Sequence, residues 1–308
     1  MSRFDDIDFA SLPAPDVVET LDYEVILATM VTRYQQKALE RGLDPSATVL
    51  LESDPAKIVL EVGAEMVVQE RQKKNDAARA VMLAKAENND LDIAAAHFKV
   101  KRQIIDPGDP SAVPPVDPTY EDDGSLRRRA HLAYEALSVA GPKGAYIFHA
   151  LSAHPKVKDA WAERTSPGHI LVTILGRDGD GTPSEAVLQA VRDKIAPADQ
   201  MQELRPDSDD VTVAGATVVH YRITADLDLY SLPDAEAALS AAKTNAAAYA
   251  AKQHKLMEPV AHSGLDGAMH VAAVREVHIM EPAATLAAQS RTAYYCDGIN
   301  IRVRGASA

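Results

Sequence analysis

Over residues 126–140, Leu126, Ala130, Ala133, Leu137 and Ala140 recur at three- and four-residue steps, with Arg127, Arg128, Arg129 and Glu135 between them. That spacing predicts an amphipathic helix. Ser125 stands where a hydroxyl accepts from an orphan backbone N–H, and Asp122 and Asp123 add negative charge at the positive helix end. Gly141 tolerates positive φ and Pro142 cannot continue a helix, so the chain turns a corner. Tyr146, Ile147, Phe148, Ala150 and Leu151 form the apolar surface of a second helix, which His154-Pro155 stops. Strands are expected at about 157–163 and 169–175, then a helix over 184–195 whose shared face is Ala186, Val187, Ala190, Val191 and Ile195. A further strand near 202–205 would complete that layer. The run from Val211 to Tyr230 predicts strands broken at Ala214-Gly215, the second alternating Val219, Tyr221, Ile223, Ala225, Leu227 and Leu229 on one side. Pro233 opens an alanine-rich helix to about Lys255, and a shorter helix near 266–273 precedes the strands VREVHIM and GINIRV.

The N-terminal part has helical periodicity throughout. A helix begins at Pro15 and Asp16, shows a broad face of Val18, Leu21, Val25, Ile26, Ala28, Met30 and Tyr34, and ends at Gly42. After a loop, Asp54 caps and Pro55 begins a long helical stretch reaching about Glu87. Its first half is expected to bury Ile58, Val59, Val62, Met66 and Val67, and its last part offers Val81, Met82 and Leu83. Between them QERQKKND, residues 69–76, is polar all round, so a rod of about 50 Å at 1.5 Å per residue crosses a wet region unless it breaks near Asn75 into a hairpin. Gly63 costs about 1 kcal/mol against alanine or marks close helix packing. A shorter helix, LDIAAAHFKV, follows.

Residues 103–124 hold five prolines and six acidic residues and predict an extended connector. The expected organisation is α+β: an arm at 1–14, a helical region at 15–102, the connector at 103–124, and two tandem small α/β sandwich domains at 125–209 and 210–308.

Composition narrows the function. With 32 basic against 45 acidic residues the net charge is −13, which argues against nucleic acid as a partner. One cysteine, Cys296, allows neither an intramolecular disulfide nor a cysteine-rich zinc site, and suits a reducing cytoplasm. No apolar run approaches the ~18 residues of a spanning helix and the start lacks a signal-peptide core, so neither membrane insertion nor signal-directed secretion is expected. Only 5% of residues are aromatic, which disfavours a sugar-binding fibre surface.

Candidate chemistry is sparse. In RDGDGTP, Asp178 and Asp180 alternate as calcium ligands do, but Pro183 stands where the calcium loop needs glycine and Gln189 where it needs glutamate. A turn is the better reading. His149 and His154 are five apart without an HExxH pattern, and His262, His270 and His278 have no motif behind them. GPKGAY joins two helices and lacks phosphate-loop spacing. No catalytic residue, metal ligand set or cofactor is assigned. The dense basic run Arg127, Arg128 and Arg129 lies at the helix end least favourable to positive charge, so these arginines are expected to face acidic groups, on a neighbouring chain or in the 117–123 connector. With Ile58, Val59, Val62, Met66, Val81 and Met82 they are the candidate interface residues.

The order LRRR, GPKGAY at the corner, FHALS in the second helix, VKDA in the strand and GDG after the next strand resembles the J-type baseplate wedge proteins of contractile-tailed bacteriophages. The likeness continues through DDVTVAGATVVHYRITADLDLYS and upstream through LDIAAAHFKVKR. It implies a structural, non-catalytic subunit of the virion tail baseplate, assembled in the host cytoplasm. Its implied partners are a second copy of itself, one I-type tail protein, a W-type lysozyme-like wedge component and the neighbouring wedges of a six-fold ring around the central spike. In that picture the N-terminal helices join an intersubunit bundle and the C-terminal modules pair between wedges. The rival classes are a tail adhesin and a metal-dependent hydrolase using Asp178, Asp180 and a histidine.

Overall fold

A computed structural model describes residues 12, 13, 15–43, 51, 54–138, 140–196, 206, 208–230 and 235–306. The expected arm at 1–14, apart from Leu12 and Pro13, the strand near 202–205 and the helix start at Pro233 lie outside them. The chain divides into two compact units, Ile7–His97 and, in essence, Phe98–Ala308.

The first unit is helical: α1 Tyr23–Glu40, α2 Pro55–Ala80 and α3 Asn88–Ala96. The first helix starts later than Pro15. Asn75, 3% exposed on α2, takes both main-chain groups of Glu19, accepting from its N–H at 3.0 Å and donating to its carbonyl at 2.9 Å. That pairing replaces the helical partners of residue 19, and Asp22 caps α1 instead. The second helix passes unbroken through the polar run and through Asn75, so the hairpin alternative is set aside. It stops at Ala80, short of Glu87, and its 26 residues span roughly 39 Å. Met82 and Ala86 then continue as turns, a stop that no glycine or proline announces. Gly63 lies against the Met30 side chain, 3.7 Å from where its Cβ would stand, which marks close packing of α1 on α2.

The second unit contains both sheets. The expected connector is ordered: β1 Ile104–Asp106 pairs antiparallel with β2 Thr119–Tyr120, and Asp109 bridges Val116. Proline content disguised these pairings because they involve few residues far apart in the sequence. The helix read at 126–140 is α4, Asp123–Leu132, followed by a 3-10 turn at Glu135–Leu137. Its cap is Asp122, which accepts from the Ser125 N–H at 2.9 Å, rather than Ser125. Gly141 has φ +72° at the corner, and α5, Lys143–Ala153, follows.

The first sheet has the order β3-β4-β5, with β3 Val157–Ser166 antiparallel to β4 His169–Gly176 and β5 Asp210–Gly215 parallel to β4 after the α6 crossover, Glu185–Ile195. The first module therefore runs to Gly215, six residues beyond the expected boundary at 209. Alternation shows which side a strand buries but not which sheet it joins. Tyr146, Ile147, Ala150, Val172, Ile174, Val187, Val191, Val211 and Val213 form its core. The second sheet has the order β7-β6-β8: β6 Thr217–Leu229 lies antiparallel to β7 Val274–Glu281 and parallel to β8 Thr292–Ala306. The helices α7 Ala235–Gln253 and α8 His262–Met269 pack on it, α8 starting four residues before the expected Asp266. Ala238, Ala242, Ala246 and Ala250, at steps of four, are the buried stripe of α7 and let it approach the sheet closely. Two layers, helices on a small sheet, thus occur twice.

Candidate assembly interface

The apolar residues of α2 split into two faces. Ala64 is fully buried and Leu60 and Val67 are half-buried, whereas Ile58, Val59, Val62 and Met66 are 50–70% exposed. These four fall within about 100° of one another at 100° per residue, so they form one continuous stripe. The expectation that the first half of α2 buries them within the chain is corrected. Val81 is 78% exposed beyond the helix end, and Met82 is half-buried. An apolar stripe left in solvent along a helix marks a contact surface when it is contiguous, as this one is.

The arginine run is differently placed. Arg129 is 5% exposed and forks onto Glu121, Nε to Oε1 at 2.8 Å and a terminal nitrogen to Oε2 at 2.6 Å, while the same terminal nitrogen donates to the Lys101 carbonyl at 2.6 Å. Glu121 also accepts from the Gln103 N–H, and its carbonyl accepts from Arg102 at 2.7 Å. Of the two alternatives for an acidic partner, the connector supplies it. Arg128 donates to Asp159 at 2.8 Å, on β3. Arg128 and Arg129 therefore leave the set of candidate interface residues: they hold α4 to the connector and to the sheet. Arg127 is half-buried on the same helix.

Asp159, 1% exposed, is the node at which the two modules meet. One oxygen receives Arg128 and the Ala160 N–H, and the other receives the Leu256 N–H at 2.8 Å, from the segment after α7. Beside it the Lys158 ammonium donates to His254 Nδ1 at 2.8 Å. Burial, then the Lys158 charge, depresses the His254 pKa to about 4, so the ring stays neutral and can accept. Burial likewise lowers Lys158. Trp161, Leu175, Leu256 and Ala293 close the junction as a small apolar cluster.

The RDGDGTP turn belongs to this junction. Asp178 pairs with Lys156 at 2.8 Å, and Asp180 accepts from the Thr182 N–H and faces His220 at 3.2 Å. His220 also meets Asp297 at 2.7 Å, and the Asp297 hydrogen bond, partly offset by desolvation, raises its pKa. Gly181 has φ +96°, and a Cβ there would lie 2.7 Å from the Leu175 side chain and 2.8 Å from His254 Nε2. The glycine is required by the conformation and by the close approach of the histidine.

The histidines do not assemble. His149 is buried, which lowers its pKa, and His154 accepts from the Lys156 N–H. His262 contacts the Pro282 carbonyl. His278 does join a group that sequence reasoning missed, Asp228 and Glu276 on neighbouring strands. Arg304 already forks onto Asp228, Nε at 3.0 Å, and lowers its pKa, so the carboxylate is neutralised by a guanidinium in place of an ion.

Residues 52–109 match the baseplate J-like N-terminal domain and residues 138–215 the baseplate J-like central domain. The second match ends at the last residue of β5. The chain is also similar to baseplate protein J of Escherichia phage P2, at 39% identity over 297 residues, which cover 94% of this chain and 95% of that protein.

Proposed function

The chain belongs to the baseplate J-like family of phage tail baseplate structural proteins, and from that premise we propose that it is a wedge subunit which makes no covalent chemistry and acts through its interfaces. The observation that carries the reading is the exposed stripe Ile58, Val59, Val62 and Met66 on α2. It supports docking of the N-terminal helices into a bundle with other chains. Three carboxylates that a metal or hydrolytic site could draw on are ion-paired within the fold: Asp178 with Lys156, Asp180 with His220 and Asp228 with Arg304. In this reading two copies join one I-type protein in each wedge, a W-type component attaches, and the C-terminal modules pair between wedges to close a six-fold ring around the spike. Several moderate interfaces then rearrange when the sheath contracts.

Native mass spectrometry of the chain alone and co-expressed with the products of its neighbouring genes tests this. A stable hetero-complex with two copies of the chain is expected. A monomer that binds none of those products refutes it.

A further inference from the structure

We propose that the water-sized cavity between α4 and the start of β3 binds one monovalent anion of halide size, held by Lys158 together with Arg128 and Arg177. The site is internal to the C-terminal unit and does not depend on the baseplate reading.

The observation is a charge left over in a closed space. The cavity, of about 20 Å³, has four cationic side chains in its wall, Arg128, Arg129, Lys158 and Arg177, against one carboxylate, Glu121. Glu121 belongs to Arg129. Two more carboxylates reach these cations from outside the wall, Asp159 to Arg128 at 2.8 Å and Asp122 to Arg177 at 3.5 Å. Each arginine therefore has a carboxylate, and one positive charge remains. It is that of Lys158: among the described residues its ammonium pairs with no carboxylate, and its hydrogen bond goes to the neutral His254 ring at 2.8 Å.

Local structure explains why no carboxylate takes up the charge. The ladder steps from Val157↔Gly176 to Asp159↔Leu175, so Lys158 is the bulged residue of β3, released from the strict alternation of the strand. The oxygens of neighbouring Asp159 are taken, one by Arg128 and the Ala160 N–H, the other by the Leu256 N–H. Those of Asp122 serve Ser125 and Arg177. Burial lowers the Lys158 pKa; the Asp159 charge opposes this, and the charges of Arg177 and Lys255 add to it. That is the response of an ammonium set among other cations.

The wall favours a small anion over water and over larger ions. About 10–15 Å³ suffices for one water, so this space holds a single particle of that size and has no room for a tetrahedral oxyanion. Guanidinium and ammonium groups can only donate. Of the two acceptors in the wall, Glu121 already accepts from Arg129 and the Gln103 N–H, and the Ser125 hydroxyl, which donates to Asp122, accepts from Arg177. The hydrogens of a water would find no side-chain acceptor unoccupied there, whereas a halide accepts from every side. Its one negative charge also cancels the surplus.

A chloride titration of the full-length chain tests the site. Urea midpoints are followed by Trp161 fluorescence at constant ionic strength, with sodium chloride replacing sodium gluconate, whose anion is too large to enter. A bound anion divides the unfolding constant by one plus the ratio of its concentration to its Kd, so chloride at ten times that Kd lowers the constant about tenfold, and the effect saturates. Lys158→Gln should abolish the difference between the two salts. Lys255→Gln, which removes a neighbouring charge outside the wall, should retain it. The chloride NMR line should broaden saturably with the wild-type chain and narrow when bromide displaces chloride, a reading that needs no variant to fold. A wild-type midpoint indifferent to the anion, a salt difference that survives in Lys158→Gln or disappears equally in Lys255→Gln, or chloride broadening that does not saturate overturns the proposal and leaves the cavity to water.

Discussion

Replacing Glu121 by glutamine should destabilise the C-terminal unit severely, because it leaves the buried Arg129 guanidinium without its counter-charge. Both side chains are nearly enclosed, 6% and 1% exposed, and the arginine spends two of its three short hydrogen bonds on this one carboxylate. Breaking a buried pair by removing one partner costs about 3–5 kcal/mol, far more than the pair adds relative to apolar residues of equal volume. A unit of about 200 residues loses about 2–4 °C of Tm per kcal/mol, so a drop of roughly 6–20 °C is expected. The sole tryptophan, Trp161, is 6% exposed inside the same unit and reports its unfolding by fluorescence in a urea titration. The double variant Glu121→Leu/Arg129→Met should recover most of the loss, since no charge is then left buried. A Glu121→Gln midpoint within about 1 kcal/mol of wild type, or a double variant as unstable as the single, would refute the assignment of this pair as a desolvated clamp.

The remaining expectations concern the junction and α2. Gly181→Ala should cost about 1–3 kcal/mol, because alanine at φ +96° is strained and its methyl meets Leu175 and His254; the Trp161 transition measures this. His254 titrates near 4 when folded against about 6.5 when unfolded, so its contribution to stability is complete above pH 6.5 and is lost as pH falls toward 4. After allowance for solvent screening that loss is about 1–2 kcal/mol, and His254→Gln should flatten the slope of urea midpoint against pH in that window. Val59→Lys with Met66→Lys should leave the chain's own unfolding midpoint within about 0.5 kcal/mol, yet abolish the hetero-complex expected in native mass spectrometry. An intact complex would show that the stripe is not the contact.

Sequence periodicity located α5, β3, β4 and α6 to within a few residues because each has one buried face and a sharp stop. It failed where the determinant is a partner distant in the chain. Asn75 decides where α1 begins from 56 residues away, and nothing around Pro15 signals it. The sheet membership of β5 depends on β4 beyond a whole helix. The candidate interface was half legible: Ile58, Val59, Val62 and Met66 were visible as an apolar set, but not that they would point away from α1. Arg128 and Arg129 were expected to face acidic groups in the connector or on a neighbouring chain, and the sequence left that choice open because a basic run gives no sign of which partner buries it. The acidic residues of the connector were the available signal, and Glu121 was among them. The Asp228–Glu276–His278 group joins strands about 50 residues apart and leaves no local pattern.

Between β5 and β6 there is one residue, Ala216, and even that residue is bonded, its N–H to the Ile174 carbonyl at 2.8 Å while the next N–H, of Thr217, meets Arg291. A single stretched backbone therefore belongs to both sheets in turn, with no slack to take up. Such a joint has the geometry of a drawbar: a pull on the second sheet would reach the first through covalent bonds. Adding one residue there would reverse which side of the downstream strand faces its helices. Transmission of force and correctness of fold thus share the same single-residue tolerance.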